Sequence, residues 1–269
     1  MSEPFLHNHS SYLNIEKWQK INPNLKAGFT TRIGGTSALP FHSLNMGLHV
    51  SDKIEDVITN RKRLAEALNV SMDNWVSGEQ VHQTNIKVVG EEDKGKGATS
   101  YQSSITGTDG LITNQSGILC TAFFADCVPL FFFDPVSGYI GIAHAGWKGT
   151  VQRMAEKMVE RFSQVGVNKS DLLVVVGPCI SQPFYEVNHV VIDSMDEKFR
   201  GKTVTDMGND RYLLDLKQLN VEILLQSGIL RHNIDVTNYC TFDQQNLFFS
   251  HRRDNGETGR MLGFLGYTP

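Results

Sequence analysis

The sequence predicts an α/β fold, a single domain in which helices cover mixed β-sheets. Three observations point there. Short apolar runs suited to buried strands crowd the centre of the chain, between Gly110 and Ala143. Stretches with apolar residues every three or four positions lie on either side of them. No internal repeat, heptad run or long linker divides the 269 residues, a length sufficient for one large domain.

Taken in order, residues 1–20 read as a polar, partly mobile lead-in, and 21–269 as a single domain. Lys26 to Thr31 reads as a strand, and the glycines of Arg32-Ile33-Gly34-Gly35-Thr36-Ser37 mark a loop. Asn45 to Asp52 is a small polar cluster. A helix follows to Leu68, with Ser51 or Asp52 as cap and Ile54, Val57, Ile58, Arg61, Leu64, Ala65 and Leu68 at helical spacing. Asn85 to Val89 reads as a strand, and the charged, Gly- and Ser-rich stretch Glu91 to Thr106 as a surface loop.

Four strands come next: Gly110–Thr113, Ile118–Phe124, Val128–Phe133 and Tyr139–Ala143. Asp134-Pro135-Val136-Ser137-Gly138 turns the chain between the last two. Trp147 to Val165 is the longest expected helix. The continuous apolar run Leu172–Val176 suits a strand covered on both faces. Helices are expected near Asn188–Arg200 and Leu214–Gln226, the second ended by Gly228. Short strands then alternate with the basic loop His251–Arg260.

Hydrophobic residues at 40% and charged residues at 20% allow a sizeable core. A net charge of −4 argues against general nucleic-acid binding, which needs a basic footprint. Met1-Ser2-Glu3-Pro4-Phe5 lacks the basic and apolar regions of a signal peptide. The most apolar stretch, Ile118 to Phe133, is broken by Asp126 and Pro129 and is short of a membrane span of roughly 20 residues. Cys120, Cys127, Cys179 and Cys240 are widely spaced with no CxxC, so free thiols are expected. A cytoplasmic protein with no membrane partner is the expectation, and a monomer.

Three polar residues fall where the apolar pattern predicts burial or a strand end. His82 precedes a strand, Cys127 lies between two apolar strands, and His144 ends a strand just before a helix. Strand ends next to helix starts are favoured places for sites in α/β folds. Two imidazoles and one thiolate suit a catalytic zinc, which takes three protein ligands and keeps a fourth position for water. The intervals of 45 and 17 residues match no compact metal motif, so other readings stay open. Cys127 can be a nucleophile with His82 or His144 as base, or the three can be structural. A copper oxidase is a further reading. A multicopper cluster uses many histidines, and of the nine here His7, His9 and His42 lie in loop-like segments.

Several segments together resemble the YfiH/YlmD laccase-domain family, also described as purine nucleoside phosphorylases. They include N-M-G-L-H-V-S-D (Asn45–Asp52), Q-V-H-Q (Gln80–Gln83), T-D-G-L-I-T (Thr108–Thr113), A-D-C-V-P-L (Ala125–Leu130) and H-A-G-W-K-G-T (His144–Thr150). G-P-C-I (Gly177–Ile180), Y-E-V (Tyr185–Val187), C-T (Cys240–Thr241) and F-F-S-H-R-R-D…T-G-R (Phe248–Asp254, Thr258–Arg260) extend the likeness from about Gly28 to Gly266. Three departures are visible: Lys148 where Arg is common, His251 where Tyr or another residue is common, and Gln83 where Gly is frequent.

The resemblance implies two sheets packed face to face with helices outside, in α/β/β/α layers. It implies that His82, Cys127 and His144 are the metal-binding and catalytic trio, with Zn2+ as the metal; Cu2+ and a polyphenol oxidase activity have also been attached to the family. It implies phosphorolysis of adenosine, guanosine or inosine and of S-methyl-5′-thioadenosine, with deamination of adenosine. Purine nucleosides and phosphate are then the partners. Arg61, Lys148, Arg252 and Arg253 are candidates for holding phosphate, by charge and by the fork geometry of arginine. Asn45 and His49 become expected pocket residues. Asp126 is expected behind the trio, orienting a histidine or capping a turn, and Asp109 reads equally as a turn or a site residue.

Overall fold

The computed structural model describes residues 2–268. In chain order the strands are β1 (Leu6–His9), β2 (Tyr12–Asn14), β3 (Leu25–Thr30), β4 (Trp75–Ser77), β5 (Ile86–Val88), β6 (Gly110–Thr113), β7 (Leu119–Phe124) and β8 (Val128–Phe133). They continue with β9 (Ile140–Ala145), β10 (Leu173–Val176), β11 (Glu186–Val187), β12 (Val204–Gly208), β13 (Arg211–Leu214), β14 (Ile234–Val236) and β15 (Met261–Tyr267). The helices are α1 (Glu16–Ile21), α2 (Ile54–Leu68), α3 (Trp147–Val151), α4 (Met154–Gln164), α5 (His189–Asp193), α6 (Glu197–Thr203) and α7 (Leu216–Gln226). Two mixed six-stranded sheets form, ordered β1-β2-β3-β15-β7-β4 and β14-β10-β8-β9-β6-β5, with a small sheet β11-β13-β12.

The layers follow from strand periodicity. Successive side chains of a strand point to opposite faces, and the strand β8 is apolar on both. Phe131 and Phe133 join Phe29, Phe124 and Leu265 of the other sheet in the inner core. Leu130 and Phe132 face outward into a second core with Met158 and Phe162 of α4 and Leu219 and Ile223 of α7. The outer face of the first sheet, with Phe123 and Phe264, is covered by Leu64 and Leu68 of α2. This is the α/β/β/α arrangement that the resemblance implied. No helix among the described residues is long and apolar enough to cross a membrane.

Some expectations need correction. Residues 6–21 are not a polar lead-in: β1 and β2 extend the first sheet, and Phe5, Leu13, Ile15 and Trp18 are fully buried in the inner core. The short strands there carry too few residues for periodicity to register. The expected helix Trp147–Val165 is two helices, parted where Arg153 takes φ +70°. The expected helix near Asn188–Arg200 is likewise split into α5 and α6. The helix α2 starts after Lys53 without a side-chain cap; Asp52 instead accepts from the Lys53 amide and from Asn45. The hairpin β12–β13 was absent from the sequence reading. Its two-residue turn, Asn209-Asp210, has positive φ at both positions, the geometry that Asn and Asp tolerate best.

Candidate active site

One end of the sandwich gathers the ends of β7 and β9 and the starts of β6, β8 and β15. The register shows it: Met261 pairs with Phe124, Val128 with Ala145, and Gly110 with Ala143. Residues just beyond these pairs therefore converge. Asp109 precedes β6, Cys127 precedes β8, His144 ends β9 and Arg260 precedes β15. His82 comes from the loop after β4, docked by Gln80, whose amide donates to the Phe123 carbonyl (2.9 Å) and accepts from the Phe123 amide (2.7 Å).

His82, Cys127 and His144 do come together. One ligand atom from each lies within 4.8 Å of the others, and among the described residues this is the one such His/Cys/Asp/Glu group. The two imidazoles meet edge to face, centroids 4.7 Å apart. Gly146 makes the closeness possible: a Cβ there would stand 3.0 Å from both Cys127 Sγ and His82 Cδ2. That is the physical reason for glycine in His144-Ala145-Gly146-Trp147.

Asp109 is the base of the cluster. Its buried carboxylate meets His144 Nδ1 at 2.8 Å and accepts the backbone amides of Val81, His82 and Gln83 at 3.0–3.1 Å. Burial would raise this carboxyl, but the His144 partner and the amides hold it below the usual range. One carboxylate thus orients one histidine and the loop that carries the other. Burial would lower His144, yet Cys127 and Asp109 raise it; burial would raise Cys127, yet the two imidazoles bring it down toward the thiolate. With His144 Nδ1 occupied, Nε2 is the nitrogen left for a ligand. The donor set of one thiolate and two imidazoles, backed by an acid, could hold a metal ion.

The trio lines a cavity of about 560 Å3, a size suited to a small organic ligand. Phe123, Tyr101, Trp147 and Tyr185 supply aromatic wall, and His49, His251, Arg252 and Arg260 polar wall. His49 faces this space as expected. Its surroundings and the cations Arg260 and Arg61 push its imidazole down to about 4, so it is neutral at pH 7.

Other expected site residues lie elsewhere. Arg61 is wholly buried, and its guanidinium is spent on the carbonyls of Met46, Gly97 and Ala98 at 2.6–2.9 Å, stacked on Phe123. Arg253 binds the carbonyls of Thr241, Phe242 and Phe248 and pairs with Asp254. Lys148 is exposed and outside the cavity wall. Asn45 is buried behind the wall, accepting the amides of Gly47 and Arg260. Arg252 does line the cavity, over Tyr185, with Nη1 on the Glu186 carbonyl.

Asp126 orients no histidine. Its carboxylate accepts from the hydroxyls of Thr241 (2.6 Å) and Ser250 (2.9 Å) and from the Arg252 amide (2.7 Å), fastening the C-terminal loop. Position next to Cys127 suggested the wrong partner. Asp109, by contrast, had a signal: a lone acid after Gly107-Thr108 at the mouth of an apolar strand. Arg260 was visible only as the end of the basic loop and of the T-G-R segment.

The matched family model, described as multi-copper polyphenol oxidoreductase laccase, covers residues 26–268. The chain belongs to this family. It is 43% identical to the purine nucleoside phosphorylase YlmD of Bacillus subtilis, over 98% of this chain and 97% of that one. The relative of the same name from Geobacillus stearothermophilus is also 43% identical, over 89% of each chain. Crystal structures of the Bacillus licheniformis hypothetical protein YfiH and of the Geobacillus YlmD each superpose with a TM-score of 0.94. Sequence identities are 41% and 39%, and the superpositions cover 99% and 100% of this chain and all of the other.

Proposed function

We propose that the chain is a purine nucleoside phosphorylase, converting adenosine, guanosine or inosine and S-methyl-5′-thioadenosine, with phosphate, to free purine and ribose 1-phosphate. The observation that carries this reading is the cavity itself, lined together by a His2Cys cluster, four aromatic side chains and two arginines. Names of close relatives support it.

Aromatic faces such as Phe123 and Tyr101 suit a purine, which stacks without regard to its substituents. Neutral His49 offers one ring N–H and one bare ring nitrogen to the base. The arginines draw the anionic co-substrate into the same space. His82, Cys127 and His144 hold a zinc ion, which when bound supplies a positive charge that polarises the group beside it. Asp109 keeps His144 in the tautomer with Nε2 free. Deamination of adenosine in the same cavity belongs to the proposal, since a metal held by the cluster would activate a water. Zinc rather than copper is the proposed ion, because the cluster is a single three-donor group.

Adenosine and phosphate are incubated with purified protein of known metal content, and adenine and ribose 1-phosphate are measured. Both products are expected, with about one zinc per chain expected from the single site. Cys127→Ala should lower turnover about a hundredfold or more, as loss of a metal ligand does. Unchanged turnover in a folded variant rejects the site.

One observation favours a second reading. Cys127, His144 and Asp109 are also arranged as nucleophile, base and orienting acid. Activity that survives complete metal removal but dies on thiol alkylation selects this metal-free hydrolase or transferase.

A further inference from the structure

Of the four cations expected to hold the anion, Arg61, Arg253 and Lys148 lie outside the cavity wall, and Arg252 on the wall is tied to the Glu186 carbonyl and lies over Tyr185. Arg260 stands out. Its side chain lines the cavity. Nη1 donates to the carbonyls of Thr258 (2.7 Å) and Gly259 (3.1 Å), which locks the guanidinium plane. Nε and Nη2, which share another edge, have no protein partner, and neither is sealed from solvent. Among the described residues Arg260 pairs with no carboxylate. The one acid on the cavity wall, Asp126, has both oxygens engaged elsewhere.

The surroundings hold this cation in place. Asn45 Oδ1 accepts the Arg260 amide at 2.8 Å, and the Met46 amide donates to the Arg260 carbonyl at 3.0 Å. Gly47 lies under the aliphatic stem: a Cβ there would stand 2.8 Å from Arg260 Cγ. Arg61 in turn fixes Met46. The polar segment 45–49 is therefore the bed of one arginine, whose free edge presents two parallel N–H donors. That fork matches two oxygens of a tetrahedral oxyanion.

We propose that Arg260 holds the phosphate co-substrate through Nε and Nη2, and that Asn45 and Gly47 position it. This rests on the phosphorylase reading. It assigns the anion to a residue just before β15, on the wall of the same cavity as the trio contributed by the β7–β8 loop, β9 and the His82 loop.

Inorganic phosphate is the probe. Its binding to wild type, Arg260→Met and Arg260→Lys is measured calorimetrically on metal-replete protein, beside the KM for phosphate and for adenosine. Removing the fork should weaken phosphate binding and raise its KM about tenfold or more, as expected for loss of charge-assisted hydrogen bonds, while adenosine KM moves far less. Lysine should restore only part, since it keeps the charge without the fork. Gly47→Ala, which displaces the stem and leaves the charge, should shift phosphate KM in the same direction. Melting curves confirm that each variant is folded.

Unchanged phosphate binding in folded Arg260→Met overturns the assignment while leaving the phosphorylase intact. A wild type that neither binds phosphate nor forms ribose 1-phosphate overturns the phosphorylase reading as well. Adenosine 5′-monophosphate is tested in parallel: Arg260-dependent binding of the nucleotide without binding of free phosphate also overturns the assignment.

Discussion

Asp109 and Asp126 flank the same cluster, and both are buried and fully hydrogen-bonded, yet they serve different parts of the molecule. Asp109 spends its oxygens on His144 and on the three amides around His82. Asp126, adjacent to Cys127 in the chain, spends its oxygens on Thr241, Ser250 and the Arg252 amide. One acid shapes the cluster, the other closes the C-terminal loop over the cavity. The contrast teaches that a carboxylate's role is set by the donors it faces, and sequence adjacency to a ligand is a poor guide to those donors.

The sharpest way to break the contrast is Asp109→Asn. The amide cannot accept from all four donors, because its NH2 group replaces an oxygen that serves two of them. Metal affinity measured by chelator competition should fall about 10–100-fold, the usual cost of losing the partner of a ligating histidine. Affinity within twofold of wild type would erase the distinction.

Asp126→Asn should do the converse. Metal affinity should stay within about threefold, because the Asp126 carboxylate bonds to none of the three ligand side chains. Amide exchange in residues 250–256 should accelerate by at least about tenfold, roughly the worth of one lost charge-assisted bond in a local opening. A protected loop together with a lost metal would reverse the roles assigned to the two acids.

The smallest effect is expected at Lys148, exposed beyond the wall that Arg252 and Arg260 share. Lys148→Ala should change phosphate KM by less than about twofold, since screened surface charge contributes little. A larger rise would extend the anion path onto α3.

The central strands were legible because both their faces are apolar. β6 and β8 fall where the pattern places them, Gly110–Thr113 and Val128–Phe133. The trio was legible as polar residues interrupting that pattern. Helix breaks were not: nothing in helical spacing marks Arg153 as left-handed. The N-terminal strands were lost because Leu6–His9 and Tyr12–Asn14 are too short to show alternation and lie at the sheet's margin. Among cations, sequence gives charge but not partners. Arg61 and Arg253 are saturated by carbonyls, while Arg260 keeps a free edge, and only the folded backbone decides which.

Cys127 sits where the chain leaves one six-stranded sheet and enters the other, between β7 and β8. Any guest that draws its sulfur toward the two imidazoles therefore acts as a rivet through both layers. Occupancy becomes legible as heat resistance, since a guest of the native form alone raises the melting point in proportion to the logarithm of its concentration. A thermal scan across a metal series can then rank ions for this pocket without a single turnover being observed.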